Sequence, residues 1–82
     1  MNMFYAAPLT IHTAAQAAWL ARVFDAKAVE KGGVIRRSVA SVEREIGHKF
    51  LADEVRRRGF HLIRCGDQFV IICNTGHLQI IA

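Results

Sequence analysis

Residues 60–82, FHLIRCGDQFVIICNTGHLQIIA, decide how the rest of the chain can be arranged. Gly66-Asp67 is the Gly-X pair of a two-residue type II′ hairpin turn, whose first central position needs a positive φ. Asn74-Thr75-Gly76 offers a second reversal, because Asn and Gly tolerate left-handed backbone. Between them Phe69-Val70-Ile71-Ile72-Cys73 is apolar without alternation, as in a strand covered on both faces. The stretch predicts a three-stranded meander over residues 60–82, with 69–73 in the middle.

That register sorts the side chains. Cys65 falls opposite Gln68, Ile63 opposite Val70 and Phe60 opposite Cys73, and alternation does the rest. Phe60, Leu62, Phe69, Ile71, Cys73, Leu78, Ile80 and Ala82 share the face that helices should cover, with Arg64 near its turn end. His61, Ile63, Cys65, Gln68, Val70, Ile72, His77, Gln79 and Ile81 share the other. Apolar residues interleaved with His and Gln suit a contact surface.

Upstream, Thr13-Ala-Ala-Gln16 has capping-box spacing and opens a helix expected over residues 13–31. Leu20, Val23 and Phe24 form its apolar stripe, with Trp19 beside them, and Gly32-Gly33 ends it. Residues 34–39, VIRRSV, read either as an edge strand with Arg36 and Arg37 near its middle or as a linker. A second helix is expected over residues 41–58, capped by Ser41, with Val42, Ile46, Phe50, Leu51 and Val55 at helical spacing. Residues 1–12 carry Pro8 and no period, and suit either a loose arm or a piece clipped to the sheet edge. The expected fold is one α+β domain: two helices on an antiparallel sheet of three or four strands, ending in a C-terminal β-meander.

Eighty-two residues, 52% of them apolar, suffice for one small core. The net charge of +4 and a pI near 9.7 permit an acidic partner without requiring one. The two cysteines have no zinc-ligand spacing, and the register puts them on opposite faces, so no metal, disulfide or Cys-His nucleophile is expected. Gly32-Gly33 lacks the residues of a phosphate loop, and the acids form no catalytic pair. No cofactor and no enzymatic activity are expected. No signal-type or membrane-spanning run is present in the sequence, which places the chain in the cytoplasm with reduced thiols.

Residues 41–59 followed by a hairpin resemble a winged helix-turn-helix DNA-binding domain, with Val42, Ile46 and Gly47 where that motif has two core residues and its turn glycine. The same spacing puts Glu43, Asp53 and Arg56 at three buried positions, which favours one helix with a tolerated or kinked glycine. Lys49 and the Arg56-Arg57-Arg58 triplet are candidate nucleic-acid contacts. Asp53 and Glu54 stand four before Arg57 and Arg58 and can neutralise them. Arg36 and Arg37 have no acid nearby in sequence.

Residues 33–74 also resemble a group of short alphaproteobacterial proteins, through VEREIG, EVRRRGF and QFVIICN. Many of that group carry the label phosphoribosylanthranilate isomerase, which does not suit this length: such a (β/α)₈ barrel needs roughly 200 residues or more. The resemblance implies no site residue.

The expected function is that of a small interaction protein acting by surface occupation, such as a phage-type, anti-CRISPR-like inhibitor or regulator of a host protein–nucleic-acid complex. Its partner surface would combine Arg36, Arg37, His61, Gln68, His77 and Gln79. The alternative is a winged-helix transcriptional regulator, and a homodimer through the mixed face or an edge strand is a third arrangement.

Overall fold

The computed structural model describes residues 13–82; the arm expected over residues 1–12 lies outside them. Seven elements follow in order: α1 (Ala14–Phe24), α2 (Lys27–Lys31), β1 (Val34–Ser38), α3 (Val39–Glu45), α4 (His48–Arg57), β2 (His61–Cys65) and β3 (Gln68–Ile72). The strands form one antiparallel sheet in the order β1-β3-β2. The fold is α+β, as the sequence implied, and among the described residues four helices rather than two accompany the sheet.

Local signals act as read. Thr13 accepts from the Gln16 amide while the Gln16 side chain accepts from the Thr13 amide, which completes the capping box. The β2–β3 hairpin has the expected register, Cys65 opposite Gln68 and Ile63 opposite Val70. Gly66 has φ +61° and Asp67 a negative φ, the combination a II′ turn needs.

Both long helices are broken, each for the same reason. In a straight helix Val29 would lie about 140° around from Phe24, facing away from the core. The chain turns extended at Ala26 and restarts as α2, so that Ala26, Ala28 and Val29 pack on the core beside Val23 and Phe24. Ile46 and Leu51 face the same conflict, again about 140° apart. Here the break falls at Gly47, with φ +80° and ψ 149°, and both side chains become buried. The helix expected over 41–58 is therefore two helices. The first is capped by Ser38, whose hydroxyl accepts from the Ser41 amide, rather than by Ser41.

A conformation like that of Gly47 is essentially restricted to glycine. An added Cβ would meet only Glu43 Oε1, at 3.9 Å, so space is not the obstacle. Gly47→Ala should cost about 1–3 kcal/mol from backbone strain alone, read as a lower urea midpoint at unchanged slope. A neutral effect would mean that the α3–α4 turn relaxes into a continuous helix.

The meander differs from expectation. Residues 73–82 contain no strand, and the position beside β3 that residues 77–82 would take is filled by β1. The register Ile35–Ile71 and Arg37–Phe69 makes this pairing, and Cys73 extends it by donating to the Gly33 carbonyl at 2.8 Å. Leu78 and Ile80, expected on the core face, are exposed. Two strand-forming segments compete for one edge, and the strand whose helices already pack on the core occupies it.

The core lies between the helices and one sheet face. Leu51, Ile71 and Val42 are fully buried at its centre, with Val23, Phe24, Ile35, Ile46, Val55, Phe69 and Cys73 around them. Phe24 and Phe60 stack with ring centroids 6.5 Å apart.

Candidate nucleic-acid interface

The short turn between α3 and α4 leaves α4 with one buried and one outward face. Leu51, Glu54 and Val55 point inward. Glu43, Asp53 and Arg56, which the motif spacing put at buried positions, are all exposed. The chain departs from the motif's spacing here: α4 is anchored by Leu51 and Val55 instead. Lys49, Asp53 and Arg56 recur at i, i+4 and i+7 and so lie in one outward row.

The arginine triplet divides. Arg56 donates to Asp53 at 2.9 Å with both side chains more than half exposed, a solvated pair of little worth to stability. Arg57 and Arg58 converge on Glu54: Arg57 through two bonds, at 3.2 and 2.6 Å, and Arg58 through Nε at 2.7 Å. Asp53 therefore serves Arg56 rather than Arg57. Arg58 also lies over the Phe24 ring, 4.2 Å from its centroid, a cation–π contact that ties the end of α4 to α1. Arg58 is a structural residue, which leaves Arg56 and Arg57 facing outward.

At the other end of α4, Glu43 caps the helix. One carboxylate oxygen accepts from the His48 amide at 2.8 Å and the other meets His48 Nδ1 at 2.8 Å. The hydrogen bond with the His48 side chain, then that with its backbone, holds the Glu43 carboxyl below the usual range, and the nearby Arg64 charge adds to this. Arg64 and Arg37 flank Phe69 in one row of the sheet, so the β1 and β3–β2 ends bring two cations to the α3–α4 side. Arg64, which the sequence reading placed only near the turn, is the cation beside the start of α4. Neither has a carboxylate partner among the described residues: Arg64 donates to the Gly66 carbonyl and Arg37 to that of Arg36. Lys49 makes no ion pair among the described residues either.

The partner surface expected from sequence is only partly assembled. Arg36, His61 and Gln68 share the outer sheet face with Val34, Ile63, Val70 and Ile72, but His61 and Gln68 sit at its opposite ends. Arg37 belongs to the opposite face. His77 and Gln79 are off the sheet. Cys65 is exposed near the turn and Cys73 is buried, where desolvation pushes its thiol pKa up. Among the described residues no three metal-ligating side chains cluster. No helix among them is long and apolar enough to cross a membrane.

In chain order the α1–α2 segment, β1, the α3–turn–α4 pair and the β2–β3 hairpin follow one another, and β1 is bonded to β3. The hairpin's two-residue turn reaches only to the start of α3, where the Val39 amide donates to the Asp67 carbonyl at 2.8 Å. No family model, no curated protein and no solved structure matches the chain.

Proposed function

We propose that this protein is a winged helix-turn-helix module that binds duplex DNA, with α4 as the helix that enters the major groove. The observation that supports it is the outward row Lys49–Asp53–Arg56 on a helix that follows a glycine turn and is anchored through Leu51 and Val55. A fold alone does not carry a function, so the reading rests on these side chains and on Arg37 and Arg64 beside them. Lys49, Arg57 and Arg64 would contact phosphates. Arg56 would read a base edge, supported by Asp53.

Four carboxylates, on Glu43, Glu45, Asp53 and Glu54, lie within α3 and α4, so non-specific affinity should be modest. Anisotropy titrations with duplex DNA at several salt concentrations test this. About three or four phosphate contacts give a log–log slope of about −3 to −4, and Lys49→Ala should reduce it by about one. Absence of binding at low salt, or a slope near zero, would overturn the DNA reading.

A second reading, an inhibitor or regulator that occupies a surface of a protein–nucleic-acid complex, is favoured by the outer sheet face, where Val34 is 48% exposed beside Arg36. Loss of function on Arg36→Glu with duplex binding unchanged would support that reading.

A further inference from the structure

We propose that residues 77–82 act as an exchanged strand, pairing along the open edge of β2 in a second copy of the chain. This inference does not depend on DNA binding.

The segment His77-Leu-Gln-Ile-Ile-Ala82 has no Pro and no Asp, Glu, Lys or Arg, and it is rich in β-branched and other apolar residues. That is the composition of a strand. In its own chain β3 has no place for it, because β1 and β2 occupy both sides of β3. The segment consequently makes no backbone hydrogen bond among the described residues. Leu78, Ile80 and Ile81 are 42%, 74% and 83% exposed. Three large apolar side chains in six residues form an exposed patch, with no partner among the described residues, on a strand-forming sequence.

The route of the chain points to the edge. The Gly76 carbonyl bonds His61 Nε2, and Thr75 lies beside Gly59, so residues 74–76 cross the start of β2 and leave past it. Folding back onto β2 of the same copy would place residues 77–82 parallel to it, the weaker geometry. A second copy can offer the same edge in the antiparallel sense.

Of the two edges left open among the described residues, β2 is the less guarded. β1 carries Arg36 and Arg37 at its middle, the kind of charge that blocks edge pairing. β2 carries only Arg64, whose Nε is turned back to the Gly66 carbonyl, beside the half-buried Leu62 and Ile63. The added strand would bond through backbone N–H and C=O groups, and reciprocal exchange gives a closed two-fold dimer.

Sedimentation equilibrium of the full chain over a wide concentration range tests this, with the Ile80→Asp/Ile81→Asp variant beside it. A reversible dimer is expected, weakened at least about tenfold in the variant. At concentrations where both proteins are monomeric, far-UV circular dichroism should not differ, since neither side chain is in the core. Hydrogen exchange in the dimer should slow the amides of β2 and leave the outer edge of β1 unchanged. A monomer at every concentration would overturn the proposal. So would a dimer that the double variant leaves intact, or one whose added protection falls on β1.

Discussion

Leu51→Ala is expected to remove about 3 kcal/mol, within the 2–5 kcal/mol range for emptying a buried leucine site. Leu51 is 0% exposed and stands between α4 and the sheet with Val42 and Ile71. A domain of this size has roughly 4–12 kcal/mol of stability in all, at about 0.05–0.15 kcal/mol per residue. The variant should melt about 12–24 °C lower, at about 4–8 °C per kcal/mol. Leu51→Met keeps the volume and should cost less than about 1.5 kcal/mol. Lys49→Ala, two residues away on the outward face, should stay within about 0.5 kcal/mol of the parent. The contrast between neighbours measures the rotation of α4. Should Leu51→Ala prove nearly neutral, α4 would be docked in another register and Lys49 and Arg56 would not share an outward row.

Glu54 is the other position with a large expected effect. It is the buried acid of the core region, 8% exposed, and it accepts three hydrogen bonds from Arg57 and Arg58. Burial raises its pKa, but the bonds from the two guanidinium groups and their charges outweigh that, leaving the carboxyl below 4.5. A depressed folded-state pKa means that the group's stabilisation is complete above the unfolded value and is lost as pH falls through the folded one. Glu54→Gln should therefore cost about 1–3 kcal/mol at neutral pH, the range for a charge-assisted hydrogen-bond partner. The largely exposed Arg57 side chain keeps the loss below that of a fully buried pair. The gap between parent and variant should close as pH falls below 4.5. Urea midpoints of both proteins at neutral pH and at about pH 3 measure it. A gap that stays constant with pH would show that Glu54 acts through packing and not charge. Comparing the two proteins also removes the contribution of Glu43, whose carboxyl titrates low as well.

What could be read from the chain depended on how far each determinant reaches. The capping box, the hairpin register and the stripe of Val23 and Phe24 act over two to four residues, and each was legible. The break at Gly47 could be read only as one of two options, a turn or a tolerated glycine, because an i, i+4 pattern continues on both sides of it and nothing local says that Ile46 and Leu51 must reach the same core. The break at Ala26 gave no local signal. The candidate site suffered from the same gap. Lys49, Arg56 and Arg57 could be picked out as cations, but their placement on one face, and the diversion of Arg58 to Glu54 and Phe24, follow from how α4 rotates after the turn.

By itself, then, the sequence determined an α+β domain with a tight Gly66-Asp67 hairpin and a capped first helix, since turn and cap chemistry are short-range, and it left residues 34–39 open between strand and linker. The tertiary structure alone decided which strand flanks β3 and which side of α4 meets solvent. Residues 34–38 and 77–82 have equal claim to that edge on composition. Only burial of Ile35 against Ile71, with α2 and α3 packed on either side in sequence, separates them, leaving Leu78, Ile80 and Ile81 exposed.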